Sequence, residues 1–219
     1  MFLEPHYRGQ RQGWIEAICG SMFSGKTEEL IRRLRRAEIA GQRVAVFKPA
    51  TDRRYHADDV VSHDRTVFPG QPVAAARDIV AAADGYSVVG VDEAQFFGDD
   101  LPRVCEDLAE AGKRVIVAGL DMDFRGEPFG PVPAVLAVAE YITKVHAICA
   151  QCGNLATHSF RTAAAGERVL LGAADAYEAR CRHCFRMGAV LPFRQVATAP
   201  RVSGARPTAE QRAEQPKLL

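Results

Sequence analysis

At 219 residues the chain is long enough for one full domain, or a domain with a small appendage, on the usual scale of about 100 to 200 residues per domain. Its 47% hydrophobic and 25% charged content is that of an ordinary globular protein and excludes collagen-like, low-complexity and disulfide-scaffold chains. The net charge of +1 leaves no electrostatic footprint for nucleic acid.

The opening MFLEPHYRGQRQG is polar and lacks the apolar core of a secretory signal, and apolar runs such as AVLAVA (134–139) are too short to span a bilayer. A cytoplasmic protein with no membrane attachment is expected. In a reducing compartment six cysteines do not form a disulfide framework, so their spacing is read for metal binding.

Residues 14–19, WIEAIC, form a short apolar strand candidate that runs into GSMFSGKT (20–27). The segment 27–40 repeats Leu30, Ile31, Leu34, Ala37 and Ile39 at helical spacing, with Glu28 and Glu29 in its first turn and Gly41 as its terminator. Its basic run RRLRR (32–36) reads as a solvated helix face. RVAVFK (43–48) reads as a buried strand and 49–70 as a loop or irregular hairpin. A helix is predicted over 72–83 with Pro72 at its start, then a strand over 86–93, a helix over 100–112 and a strand over 113–121. This alternation predicts an α/β fold with a parallel sheet covered on both faces, whose ligands gather at the carboxyl ends of the strands. Near residue 145 the pattern gives way to a small cysteine-bearing module, and 195–219 has the composition of a disordered tail. The division expected is a tail over 1–13, an α/β domain over 14–146, which the motifs below make nucleotide-binding, a cysteine-bearing module over 147–194, which they make zinc-binding, and a second tail over 195–219.

GSMFSGKT fits G-x-x-x-x-G-K-[ST]: its glycines let successive N–H groups turn toward phosphates, Lys26 reaches the outer phosphates, and Thr27 offers its hydroxyl to Mg2+. The interior apolar pair is unusual in such a loop, and Phe23 is expected to pack beneath it. VVGVDEAQF (88–96) ends a buried strand in two carboxylates, of which Asp92 suits an anchor for Mg2+. Glu93 would then activate either water or an acceptor hydroxyl. Cys149 and Cys152, followed by Cys181 and Cys184, supply four thiolates in two tight turns, the pattern of a structural tetrahedral zinc. Four cysteine ligands leave no open position for catalysis; His183 is expected to be exposed, and Cys19 and Cys105 to be ordinary buried thiols. In GLDMDFRGEPFG (119–130), Asp121 and Asp123 read as turn formers, while Phe124 and Phe129 fit either loop packing or stacking on a planar base.

Together GSMFSGKT, KPATDRRY (48–55), VDEAQFF (91–97), GLDMDFRGEPFG and the cysteine pairs with ADAYEARCRHC (174–184) resemble the cytosolic-type (type II) thymidine kinase family, in chain order over about residues 13–192. That resemblance implies a RecA-like phosphate-loop domain with a small zinc-ribbon-like domain carrying a lasso loop. It implies transfer of the γ-phosphoryl of ATP, with Mg2+, to the 5′-hydroxyl of thymidine or deoxyuridine, a homotetramer, and feedback inhibition by thymidine triphosphate. Carried over by residue, Glu93 is the general base, and Gly20, Ser21, Met22, Phe23, Ser24, Gly25, Lys26 and Thr27 form the ATP side together with Asp92 and Gln95. On the nucleoside side Phe124 stacks on the base and Tyr177 contacts the substrate, while Met22, Leu120 and Ser159 line the pocket for the thymine methyl. Asp52 and Arg54 fall on the same side, and Arg168, Val169, Leu170, Leu171 and Gly172 form the lasso segment whose backbone bonds the base. The chain departs from the pattern at GAAD (172–175), where GGAD is frequent, and at Ser159, where threonine is frequent. Two other readings of the same motifs are a phosphate-loop ATPase with a partner-binding zinc module, and a nucleic-acid-binding zinc ribbon on a degenerate nucleotide domain.

Overall fold

Period-two alternation of buried side chains lays out the sheet and both of its coverings. In the computed structural model, which describes residues 13–51, 59–61, 67–162 and 176–188, the first strand is β1 (Trp14–Cys19). It is followed by α1 (Lys26–Ile39), β2 (Val44–Pro49), a hairpin of β3 (Asp59–Val61) and β4 (Val67–Pro69), and β5 (Gln71–Val73). Then come α2 (Asp78–Ala82), β6 (Val88–Val91), α3 (Leu101–Glu110), β7 (Arg114–Gly119), α4 (Val132–Val138) and β8 (Tyr141–Lys144). Strands β5-β2-β6-β7-β1-β8 form one six-stranded sheet in that order, and every pairing in it is parallel. Ile18, Val46, Ile116 and Ala118 meet Leu30, Ile31, Leu34 and Ala37 of α1 on one face. Ala17, Phe47, Val89, Val91, Val115 and Val117 meet Ile79, Leu101, Val104, Leu108 and Val135 of α2, α3 and α4 on the other.

Helix α1 ends as expected. Gly41 takes φ +74, its N–H bonds the Glu38 carbonyl at 2.8 Å, and the Gln42 N–H bonds the Ala37 carbonyl at 3.0 Å, a Schellman closure that favours a residue without a Cβ. Ile39, counted with the apolar stripe, instead points outward and is exposed. The basic run also differs from a wholly solvated face, because Arg33 is fully buried. Its Nη1 pairs with Glu16 Oε2 at 2.9 Å, and Arg114 Nε meets Glu16 Oε1 at 2.6 Å, while Trp14 Nε1 donates to the same oxygen at 2.7 Å. A carboxylate in the middle of β1 thus draws one arginine of the helix inward.

The helix predicted over 72–83 is shorter than its pattern. Pro72 lies in β5, which pairs with β2 at the sheet edge, and the helix begins only at Asp78, whose Oδ2 accepts the Ala75 N–H at 2.9 Å. An edge strand has no inner partner waiting for a proline N–H, so Pro72 is tolerated there. The apolar run 134–139 becomes most of α4, which leads to the edge strand β8.

Beyond β8 the chain makes two small antiparallel pairs, β9 (Ala147–Ile148) with β10 (Leu155–Ala156), and β11 (His158–Arg161) with β12 (Tyr177–Arg180), closed by the short helix α5 (Arg182–Met187). His158 stacks on Phe185 with ring centroids 4.4 Å apart, and a Cβ placed on Gly126 would touch both rings, so the 122–128 turn rests on this module. No helix among the described residues is long and apolar enough to cross a membrane.

Candidate active site

The chain leaves β1 through Gly20, where φ is +149 and a Cβ would stand 2.2 Å from the Val145 carbonyl oxygen, so only glycine fits the turn. Phe23 and Gly25 adopt left-handed φ values of 64 and 82. The loop is closed on itself: Ser24 Oγ donates to the Ser21 carbonyl at 2.7 Å and Lys26 Nζ to the same carbonyl at 2.8 Å. Helix α1 then starts at Lys26, and its first N–H groups, without intrahelical partners, add to the positive end of the dipole. This is the geometry of a phosphate-binding turn. Phe23 does not pack beneath it. The left-handed backbone at this position turns the ring outward, and the residue is 37% exposed.

Strand β6 delivers the carboxylates to the same edge, two strands away from β1 across β7. The Asp92 N–H bonds the Phe47 carbonyl at 2.9 Å, and Asp92 itself is buried. Its Oδ1 accepts the Glu93 N–H at 2.9 Å, and its Oδ2 accepts the Thr27 hydroxyl at 3.4 Å. Two groups 65 residues apart in sequence therefore stand side by side, offering oxygens of the kind that hard cations take as ligands. Glu93 sits at φ 51, ψ 40, a left-handed conformation that costs about 1 kcal/mol or more outside glycine and persists where function holds it. Gln95 orients this carboxylate by donating Nε2 to Glu93 Oε2, and its own Oε1 accepts the Leu120 N–H at 2.9 Å. Gln95 thus links Glu93 to the end of β7 and touches no phosphate-loop group in these contacts.

The residues expected on the nucleoside side come from two directions. Leu120 follows β7, and Phe124 lies in the turn 122–128, where Asp123 Oδ1 accepts the Arg125 and Glu127 N–H groups at 2.8 and 3.1 Å. Asp123 is a turn former as expected, and Asp121 pairs with Lys144 of β8 at 2.6 Å. Phe129 packs edge-on against Phe96 at 5.7 Å, which leaves Phe124 as the ring of this pair that faces the module. Ser159 of β11 accepts the Met22 N–H at 3.0 Å, and Tyr177 lies opposite Arg161 across β11 and β12. Arg161, absent from the sequence-based expectations, has its guanidinium 4.6 Å from the Phe124 ring centre and 5.6 Å from that of Tyr177. Period-two spacing from Ser159 was the available signal. Asp52, Arg54 and the segment from Arg168 through Val169, Leu170 and Leu171 to Gly172 lie outside the described residues.

The four cysteines of the two pairs converge, with all sulfurs within 4.8 Å of one another and Cys152 Sγ 3.6 Å from Cys181 Sγ. A tetrahedral ZnS4 centre has sulfurs about 3.8 Å apart, so the cluster fits zinc with little adjustment. Burial raises the Cys149 thiol, but the Cys181, Gln151 and Cys152 N–H groups and the Cys152 side chain outweigh it and bring the group down to about 7. Burial and the neighbouring sulfurs push Cys184 up to about 12. Thiols crowded this closely cannot all ionise without a cation between them. His183 is exposed and outside the cluster. Cys19 and Cys105 are buried and free; burial, then Asp121, raises Cys19 to about 11, and burial raises Cys105 to about 12, so neither is a thiolate.

Residues 13–185 match the family described as thymidine kinase. The chain is 62% identical over 178 residues to a thymidine kinase of Rhodothermus sp., covering 81% of this chain and 84% of that protein. It is 54% identical over 186 residues to a thymidine kinase of Bacteroides thetaiotaomicron, covering 84% and 94%, and 52% identical over 181 residues to one of Porphyromonas gingivalis, covering 83% and 89%.

Proposed function

The chain belongs to the thymidine kinase family, and we propose that it transfers the γ-phosphoryl of ATP to the 5′-hydroxyl of thymidine, and of deoxyuridine, giving the nucleoside monophosphate. The observation that carries this reading is the approach of Thr27 Oγ1 to Asp92 Oδ2 at 3.4 Å, beside Glu93, at the edge where the phosphate loop opens. Gly20 to Thr27 would cradle the ATP phosphates through backbone N–H groups, with Lys26 turning from the Ser21 carbonyl onto the outer phosphates. Thr27 and Asp92 would hold Mg2+, whose chemistry is to neutralise charge on the transferring phosphoryl. Glu93 takes the proton of the 5′-hydroxyl as the bond from that oxygen to the γ-phosphorus forms and the bond from the γ-phosphorus to the β,γ-bridging oxygen breaks to release ADP, Gln95 orienting the carboxylate meanwhile.

On the acceptor side Phe124 stacks on the thymine and Tyr177 contacts the substrate, with Met22, Leu120 and Ser159 around the base methyl. Asp52, Arg54 and the backbone from Arg168 to Gly172 complete this side of the reading. The zinc held by Cys149, Cys152, Cys181 and Cys184 staples both ends of the segment 153–180 that would close over the nucleoside, excluding water in favour of transfer over hydrolysis. We infer the corresponding division of labour: residues 14–146 bind ATP and 147–194 bind the nucleoside, flanked by tails over 1–13 and 195–219. A cytoplasmic homotetramer restrained by thymidine triphosphate completes the proposal.

The test is to incubate the protein with Mg-ATP and a panel of nucleosides. Thymidine monophosphate should form in step with ATP consumption. Phosphate release that ignores thymidine, with no monophosphate formed, would favour the ATPase reading and overturn this one.

A further inference from the structure

The side chain of Arg161 is held in a state that calls for a ligand. Its guanidinium lies over the rings of both Phe124 and Tyr177, and Tyr177 is its direct partner across the β11–β12 ladder. Aromatic faces attract a cation but offer no acceptor in the plane of its N–H groups. Arg161 Nε and Nη2 are buried and have no hydrogen-bond partner among the described residues. Leaving a buried donor unmade costs about 1–3 kcal/mol, more when it belongs to a charge, so a molecule that supplies acceptors here binds with that advantage.

The geometry of the two orphaned nitrogens narrows the acceptor. Nε–H and the adjacent terminal N–H form one edge of the planar guanidinium and point the same way, spaced to meet two oxygens on a single carbon or phosphorus. Ser159, two residues back on the same face of β11, accepts the Met22 N–H of the phosphate loop, so the strand face that carries Arg161 is the one that meets that loop. A neutral nucleoside has no paired anionic oxygens. A nucleotide has them on every phosphate.

We propose that Arg161 binds two oxygens of a phosphate of the thymidine nucleotide seated at Phe124 and Tyr177, and so distinguishes the phosphorylated product and triphosphate from unphosphorylated thymidine. The inference rests on the reading of those two rings as the nucleoside site. It assigns to one side chain two roles, bracing the rings and sensing whether the nucleoside between the site's walls carries phosphate. Both thymidine monophosphate and thymidine triphosphate present the required pair of oxygens.

The experiment compares the full chain with Arg161→Gln and Arg161→Lys. It measures zinc content, thymidine KM, ATP KM, and the affinities of thymidine monophosphate and triphosphate by calorimetry and by inhibition. Arg161→Gln should weaken both nucleotides by about tenfold or more beyond any rise in thymidine KM, the factor that one lost charged contact of roughly 1.4 kcal/mol produces, because loss of the brace acts on nucleoside and nucleotide alike and loss of the fork on the nucleotide alone. Arg161→Lys, which keeps the charge and loses the fork, should fall between. A loss confined to the triphosphate assigns the contact to an outer phosphate, and a loss shared with the monophosphate assigns it to the phosphate on the 5′-oxygen. Equal weakening of thymidine and its monophosphate would reduce Arg161 to a brace for the rings and overturn the proposal, as would unchanged nucleotide affinity. Should the unaltered chain fail to phosphorylate thymidine, the kinase reading falls, while selective loss of nucleotide affinity in Arg161→Gln would still support the phosphate site.

Discussion

Ser159 Oγ, on the cysteine-bearing module, accepts a hydrogen bond from the Met22 N–H of the phosphate loop at 3.0 Å, 137 residues away in sequence. This contact joins the element proposed to hold ATP to the element proposed to hold the nucleoside. Removing it should act on the acceptor before the donor. Ser159→Ala is expected to raise thymidine KM by about fivefold, the effect of roughly 1 kcal/mol, with a smaller change in ATP KM, while Ser159→Thr keeps the oxygen and stays near the unaltered value. Steady-state kinetics with each substrate varied separately decides it; equal rises in the two KM values would mean that the loop itself had been distorted.

Glu93 carries the only carboxylate in the proposal assigned to proton transfer, and Gln95 fixes its direction. Glu93→Gln preserves shape and removes the base. Turnover should fall by about a hundredfold or more while ATP affinity, measured by calorimetry, stays within about threefold. Retained turnover would remove Glu93 from that role. Gln95→Ala, which releases the carboxylate and leaves the Leu120 N–H without its acceptor, should lower kcat more than it raises either KM.

The purified protein should contain about one zinc per chain, since the four sulfurs suit one tetrahedral ion. Protons compete with the metal for thiolates, so zinc is held more weakly as pH falls. A chelator should therefore strip it faster at pH 6 than at pH 8, a comparison read with a colorimetric zinc indicator. Cys152→Ser should lose zinc and thymidine binding together, with ATP binding spared; full activity in a metal-free sample would contradict the stapling role.

Much of this architecture is legible from local pattern, and the exceptions share a cause. The strand over 14–19 and the end of α1 at Gly41 follow from features within a few residues of one another, and the four-cysteine cluster from two close pairs with a shared ligand chemistry. Pro72 reads locally as a helix start, but the vacant edge beside β2 takes it into a strand. Phe23 reads as an apolar filler, but its left-handed backbone turns it outward. Arg161 carries no motif; its surroundings come from the turn at Phe124 and from the strand pairing that sets it opposite Tyr177. Pro72 and Arg161 depend on partners distant in sequence and Phe23 on its own backbone angle, and periodicity sees neither.

Arg33 is the clearest such case, and it supports a stability prediction away from the candidate site. Glu16, Arg33 and Arg114 are all buried, and Arg33 also donates to Glu29 at 2.8 Å and to Thr143 at 2.9 Å. Charges taken out of water are tolerated when every partner is present, and removing one leaves the others uncompensated. Glu16 is the partner common to both arginines, so Glu16→Ala should cost about 3–5 kcal/mol, read as a fall in denaturant midpoint at constant slope. Arg33→Ala should cost less, because Arg114 and Trp14 still satisfy Glu16. At a temperature where each variant remains folded, the KM values should be unchanged, since the bonds of Glu16 and Arg33 given above run to Trp14, Arg114, Glu29 and Thr143. A Glu16→Ala loss below about 1 kcal/mol would mean that the arginines find other acceptors or water, and that the carboxylate does not organise this part of the core.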